Sequence, residues 1–387
     1  MEKLVRAMTE LIACEVCGRP LDRAKYAFSD EDLIRLYKMS KAHDLAHLVG
    51  SALLKNDLVG NAEIRAGFEK QVLLAVYRCE KLGFELEHLC RALSQAKIPF
   101  MPLKGSVIRP YYPEAWMRTS CDIDILVSEA DADAAAAILT ESCGYAYHGK
   151  GSHDISLFSP DDIHIELHYD LVEAGHANAA AEVLKNIWDA AVLSSHTAYQ
   201  YEMPDAYFYF YHIAHMAKHF VGTGGCGIRP FLDIWILQHR VSFDRAKRDA
   251  LLSDGGLDVF AKQAERLAEV WFGDAAHTAI TKQMEAFILR GGVYGTSTNR
   301  IAVQQQKHGG KLRYALSRVF IPYAVIKFHY PILQKHKWLT PIMEVRRWGK
   351  LIFCGHLKRS VNELTYNSAI PEDAAAETRA LLENIGL

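Results

Sequence analysis

Leu103-Lys104-Gly105-Ser106, Cys121-Asp122-Ile123-Asp124-Ile125-Leu126-Val127 and Ile163-His164-Ile165-Glu166-Leu167-His168 are the pieces of one stretch, and their reading decides the fold. Residues two apart in a strand share a face. Asp122 and Asp124 therefore project together, while Ile123, Ile125 and Val127 point into a core. Glu166 lies on the polar face of its own strand, between His164 and His168. If these strands are neighbours in a sheet, three carboxylates converge. Such a cluster repels itself unless a cation sits within it. The natural cation is Mg²⁺ (or Mn²⁺), which takes oxygen ligands and keeps substrate phosphates in its shell. One Asp on a strand is commonly a solvated face. Two on one face of a strand this apolar need another reason, because Asp is a poor strand former.

Gly105-Ser106 follows the apolar run 98–103. A strand ending there presents backbone N–H groups at a helix start, and such groups bind phosphate oxygens. Alone, the dipeptide is only a turn. The Asp-x-Asp strand that follows gives it weight.

Outward from this stretch the pattern becomes helical on both sides. Residues 1–95 repeat apolar positions at helical spacing. Ser29 and the acids after it form a helix start, and a long helix runs from about Asn61 to Gln95. Residues 96–175 form the α/β part. Its strands are expected at 98–103, 122–127, 145–148, 154–158 and 163–168. A helix capped by Ser128-Glu129-Ala130-Asp131 should end at Cys143-Gly144. Residues 176–300 read as a helical domain closing a cleft, with helices at 178–192, 204–220, from about 229, and at 243–252, 259–272 and 275–289. The longest loop is expected from Gly291 to Gly310. Helices return from 311 to about 365, and the tail after Pro371 is a short helix or a frayed end. The fold class is α+β: a small mixed sheet flanked by N-terminal and C-terminal helical regions.

The 387 residues exceed one ordinary core. A formal net charge of −2 gives no general attraction to nucleic acid. The eight cysteines are scattered among apolar residues, as in a reducing compartment rather than a disulfide framework. Cys14-Glu15-Val16-Cys17 lacks the second pair a zinc site needs, so it reads as two small hydrophobes on an early helix. The N-terminus has no secretory pattern and no apolar run is long enough to span a bilayer, so a cytoplasmic protein is expected.

Leu103-Lys104-Gly105, Arg118, Asp122 to Val127, Gly144-Tyr145 and Ile165-Glu166-Leu167-His168 together resemble the uncharacterised nucleotidyltransferase family, within the DNA polymerase β-like superfamily. His212, His215, Lys218-His219, Gly225 to Arg229, Asp233, Gly292 to Gly295 and the segment 330–348 resemble it as well, so the likeness runs from about 98 to 350. The spacer between Ser106 and Asp122 is longer than in the general superfamily pattern. The resemblance implies that Asp122 and Asp124 bind the divalent ions that grip a nucleoside triphosphate. It also implies that Glu166 completes the metal site and helps deprotonate the acceptor. Two ions astride an in-line displacement stabilise both the attacking and the leaving oxygen. ATP is the default donor, and the acceptor is open: a hydroxyl or phosphate on a small molecule, a peptide or a protein.

Lys104, Gly105, Ser106 and Arg118 are candidates for the triphosphate, the bland alternative for the two basic residues being solvated surface charges. His212, His215 and His219 fall at i, i+3 and i+7, on one helix face. That face, with Arg229 and Asp233, is expected to close over the site and touch nucleotide or acceptor. A zinc site or a polar packing seam are the alternatives. The Gly-rich segments 222–227 and 291–295 lack a P-loop ending and read as hinges or helix ends. Residues 318–347 mix aromatic and basic side chains. They read as a packed helical domain with snorkelling cations, or as a face for a membrane, a polyanion or a partner. Against nucleotidyl transfer stand pyrophosphoryl transfer on a related fold and a non-catalytic nucleotide-binding protein.

Overall fold

The computed structural model describes residues 2–172, 178–195, 197–293, 295–307, 309–353 and 372–387. Four helices come first: α1 (Glu2–Cys17), α2 (Asp30–Ala42), α3 (Ala46–Lys55) and α4 (Ala62–Gln95). Ser29 and Asp32 form the capping box that starts α2. The Asn61 side chain accepts from the N–H groups of Glu63 and Ile64 to start α4. The α/β segment comprises β1 (Phe100–Pro102), α5 (Gly105–Ile108), β2 (Asp122–Val127), α6 (Ala132–Glu141), β3 (Ala146–Lys150), β4 (Asp154–Phe158) and β5 (His164–His168). Ser128 and Asp131 bond each other in the turn before α6, so that helix begins only at Ala132. It ends as expected, with Gly144 at φ +73° and Tyr145 N–H donating to Leu139 O.

The strand order is β1-β2-β5-β4-β3, mixed as expected. Only β2 and β5 run parallel. The two faces of β2 serve different cores. Ile123, Ile125 and Val127 pack with Leu82, Leu89 and Leu93 of α4 and with Ala132, Ala135 and Leu139 of α6. Leu126, on the other face, joins Met101 and Leu103 in a larger cluster with helices from both ends of the chain.

After the sheet come α7 (Ala179–Leu184), α8 (Ile187–Ala190), β6 (Val192–Leu193) and β7 (Tyr201–Glu202). The single helix expected over 178–192 is thus two short helices and a strand. The chain turns at Lys185-Asn186, and Val192-Leu193 pair with Tyr201-Glu202. Next are α9 (Asp205–Gly222), α10 (Arg229–Arg240), α11 (Arg245–Asp254), α12 (Asp258–Phe272) and α13 (Ala279–Leu289). α9, α10 and α12 share the larger core with α1 and α3.

The loop expected from Gly291 to Gly310 contains a helix, α14 (Ser297–Lys307), anchored by buried Ile301, Ala302 and Val303. The two Gly-rich segments pack on each other: Gly227 N–H donates to Val293 O, and a Cβ on Gly224 would lie 2.2 Å from Arg300 N. Tyr294 lies outside the described residues. The chain closes with α15 (Lys311–Val319), α16 (Tyr323–His329), α17 (Ile332–Lys335), α18 (Thr340–Phe353) and α19 (Glu372–Asn384). The helical region expected over 354–365 and the start of the tail at Pro371 fall outside the described residues. Leu381, Leu382 and Ile385 bury in the main core, so the tail is a docked helix rather than a frayed end. Among the described residues no helix is long and apolar enough to cross a membrane.

Candidate active site

The parallel register of β2 and β5 sets Asp122 opposite His164, Asp124 opposite Glu166 and Leu126 opposite His168. All these side chains share one face of the sheet. Their ligand atoms gather in two overlapping sets, Asp122–His164–Glu166 and Asp124–Glu166–His168, with the atoms of each set within 4.8 Å of one another. His164 and His168 join the expected residues here, and the signal for them is the alternation His-x-Glu-x-His, which puts both beside Glu166.

The chain supplies its own counter-charge. Lys104 Nζ lies 2.5 Å from Asp124 Oδ1 and 3.6 Å from Glu166 Oε2. His168 Nε2 donates to Asp124 Oδ1 at 2.9 Å and lies 3.3 Å from Glu166 Oε2. The proton affinities follow from this wiring. Burial, and then the charge of Asp124, push the Asp122 carboxyl upward. The hydrogen bond from His168 outweighs burial and holds Glu166 well below the usual carboxylate range. Burial disfavours the Lys104 ammonium, but Asp124 and Glu166 hold its pKa well above the ordinary lysine value. Burial likewise opposes the His168 imidazolium, and hydrogen bonds to Asp124 and Glu166 raise its pKa nonetheless.

Lys104 occupies an unusual backbone conformation, φ 45°, ψ −116°. Ser106 N–H donates to Leu103 O at 3.2 Å, closing a four-residue turn. Glycine is the residue that ordinarily accepts positive φ at the first central position of such a turn. Holding a side chain there costs of order 1–3 kcal/mol, and outliers of this kind cluster at functional sites. Gly105 starts α5 against Ser120, to which a Cβ would come within 3.4 Å. Ser106 lies in the first turn of the same helix.

Arg118 and Asp233 are brought together, away from solvent. Arg118 Nε and Nη2 donate to the two carboxylate oxygens at 2.7 and 2.8 Å, and Tyr112 OH donates to Oδ1 at 2.6 Å. Both side chains are buried. Their charges are spent on each other, so the pair ties the lead-in of β2 to α10. Arg229 reinforces the same junction, with Nη1 donating to Thr119 O and Asp44 Oδ2, each at 3.0 Å. Arg109, unremarked in the sequence, is buried and donates to Ser120 Oγ at 2.8 Å and to Arg118 O at 3.2 Å. Nothing local marks it; its role appears only once 109 and 118–120 are folded together.

The expected histidine face divides. His212 Nε2 donates to Pro230 O at 2.9 Å, on the side of the Arg118–Asp233 pair. His215 and His219, an i, i+4 pair, are hydrogen-bonded through Nε2 atoms 3.3 Å apart. Burial, then the charge of Lys104, holds the His215 pKa well below its usual value. Tyr211, one turn earlier, is buried, and burial, helped by the charges of Asp124, Glu166 and Asp122, pushes its phenol upward against the opposing charge of Lys104. On α9, Tyr211 therefore lies in the field of the acid cluster and His215 in that of Lys104.

The donor chemistry fits a divalent cation. Carboxylate oxygens of Asp122, Asp124 and Glu166 are hard ligands of the kind Mg²⁺ and Mn²⁺ take, and His164 and the buried His168 stand beside them.

The family model described as "Uncharacterised nucleotidyltransferase" matches residues 29–273, well over half of the chain. The match includes α2, α3 and the whole of α4, which in sequence look like a generic lead-in. It ends after α12, so the similarities at 292–295 and 330–348 lie beyond it. Neither the curated proteins nor the solved structures contain a match. The chain belongs to that nucleotidyltransferase family.

Proposed function

We propose that this nucleotidyltransferase moves a nucleoside monophosphate from a nucleoside triphosphate, ATP by default, to a hydroxyl or phosphate acceptor, with Mg²⁺ or Mn²⁺. The acceptor is a small molecule, a peptide or a protein. The observation that carries the reading is the register of β2 and β5, which stacks Asp124 on Glu166 and leaves Asp122 on the same face. Asp122, Asp124 and Glu166 are the residues that would hold the cation. When bound, it supplies charge stabilisation to the phosphate oxygens.

The chain's own groups do the rest. For a hydroxyl acceptor, the oxygen loses its proton and bonds to the α-phosphorus. The bond from that phosphorus to the α–β bridging oxygen breaks, and pyrophosphate leaves. Glu166, kept ionised by His168 and Lys104, lines the acceptor's approach and helps draw off its proton. Lys104, whose ammonium stays protonated, is the nearest cation for phosphate oxygens, and Gly105-Ser106 follow it at the start of α5. Arg118 and Asp233 position the start of β2, and Arg229 braces it through Thr119. Tyr211 and His215 form the opposite wall, where they meet nucleotide or acceptor. The scattered cysteines support work in the cytoplasm.

The test is label tracing. The protein is incubated with each triphosphate labelled at the α, β or γ position, with Mg²⁺ or Mn²⁺ and a cell extract. An acceptor that gains the α label alone supports nucleotidyl transfer. Gain of the β and γ labels without α would show pyrophosphoryl transfer instead. No transfer, and no cation-dependent binding that Asp122→Ala abolishes, would leave only a non-catalytic role.

A further inference from the structure

The last helices carry a surface that the acid cluster does not use. Residues 311–353 hold nine Lys and Arg against one acid, Glu344, a surplus of eight, so the remainder of this chain of formal charge −2 carries −10. Glu344 is itself buried and engaged, accepting from Ile321 N–H and Arg347 Nε at 2.7 Å each. The segment itself therefore holds no exposed acid to set against its cations. It is also apolar. Leu312 is 74%, Trp338 72% and Val345 62% exposed, and Leu316, Phe320 and Ile342 are exposed as well.

These apolar side chains are arranged by the helices. Leu312, Leu316 and Val319 lie at i, i+4 and i+7, on one face of α15, while Tyr314 on the other side packs with Ile301 and Ala302. Ile342 and Val345 lie one turn apart on α18. The two helices meet where the Phe320 and Trp348 rings stand 5.3 Å apart and the Trp348 indole donates to Val319 O at 2.9 Å. Cations lie along aromatic rings at the margin, Lys337 Nζ 4.8 Å from the centre of Tyr323 and Lys350 Nζ 5.9 Å from that of Tyr330.

We propose that this face docks peripherally on the surface of an anionic phospholipid bilayer. The basic surplus complements the negative headgroups, and the exposed leucines, isoleucine, valine, phenylalanine and tryptophan seat between them, with the short helices lying in the interface. A nucleic acid would use the positive charge but leave Leu312, Leu316, Ile342 and Val345 in water. Among the described residues no helix can span the bilayer, so docking is superficial.

Cosedimentation of the full chain with vesicles tests this. The protein should partition onto phosphatidylcholine vesicles containing phosphatidylglycerol, less so as salt is raised, and not onto phosphatidylcholine alone. Leu312→Glu with Leu316→Glu, and separately Val345→Glu, should each weaken partition about tenfold or more without lowering the melting temperature. Trp338→Phe should remove the fluorescence blue shift that vesicles induce. Failure to bind the anionic vesicles, or binding undiminished by the glutamates, overturns the proposal. So does binding of duplex DNA that matches the vesicles and ignores the same substitutions.

Discussion

Lys104 Nζ meets Asp124 Oδ1 at 2.5 Å from the turn that follows β1, and the backbone that delivers it is the strained partner. At φ 45° the lysine stands where glycine would be at ease. Its ammonium offsets carboxylates that burial alone would not let ionise together.

Lys104→Gly and Lys104→Ala both delete that ammonium, but only glycine relaxes the turn. Lys104→Gly should therefore be the more stable of the two by about 1–3 kcal/mol in denaturant unfolding. Both should lose transfer activity. Equal stability would mean that the turn is not strained.

Asp122→Asn, Asp124→Asn and Glu166→Gln should each lower the rate about a hundredfold or more, the scale of removing one preorganised charge-stabilising group. Mg²⁺ or Mn²⁺ should raise the melting temperature of the wild type and have much less effect on Asp122→Asn. Stripping the cation with a chelator should abolish turnover and leave the fold intact.

Arg118 and Asp233 should behave as scaffold. Removing one member strands a buried charge, so Arg118→Met or Asp233→Leu should cost about 3–5 kcal/mol, and the double variant should recover much of it. Burial pushes the Asp233 carboxyl up, but Arg118 outweighs it and holds the pKa below the ordinary value. The pair's contribution is therefore complete above the unfolded carboxyl pKa of about 3.9 and fades only as pH falls through the lower folded value. Additive single-site costs would argue against the pairing.

His43 is 1% exposed, and burial lowers its pKa to about 4. The unfolded chain binds the proton near pH 6.5 and the folded chain does not. Stability should fall as pH drops from about 6.5 to 4, by about 3 kcal/mol in all, and hold steady above neutrality. In His43→Leu this part of the acid slope should disappear, as chemical unfolding at stepped pH would show.

The strands and their acids were legible because period-two alternation is a local signal: Asp122, Asp124 and Glu166 could be placed on polar faces before any pairing was known. The partner of Arg118 was not legible. Asp233 lies 115 residues away, and an arginine near an acidic strand has the same local appearance whether it meets a phosphate or a carboxylate. The break at Lys185-Asn186 carries no proline or glycine, and only the pairing of Val192-Leu193 with Tyr201-Glu202 reveals it. Residues 297–307 looked like loop because glycines precede them. Burial of Ile301 and the bond from Asn299 Nδ2 to Phe287 O make them a helix.

α4 is a single run of 34 residues without proline, about 50 Å long at 1.5 Å per residue. Phe68, near one end, sits in the larger core, and Leu82, Leu89 and Leu93, toward the other, support the sheet. Mechanically it is a beam built into two walls. A wide swing of one wall against the other would have to bend it, so substrate entry should proceed by side-chain and short-segment shifts. The radius of gyration in solution scattering should then stay constant when nucleotide and cation are added.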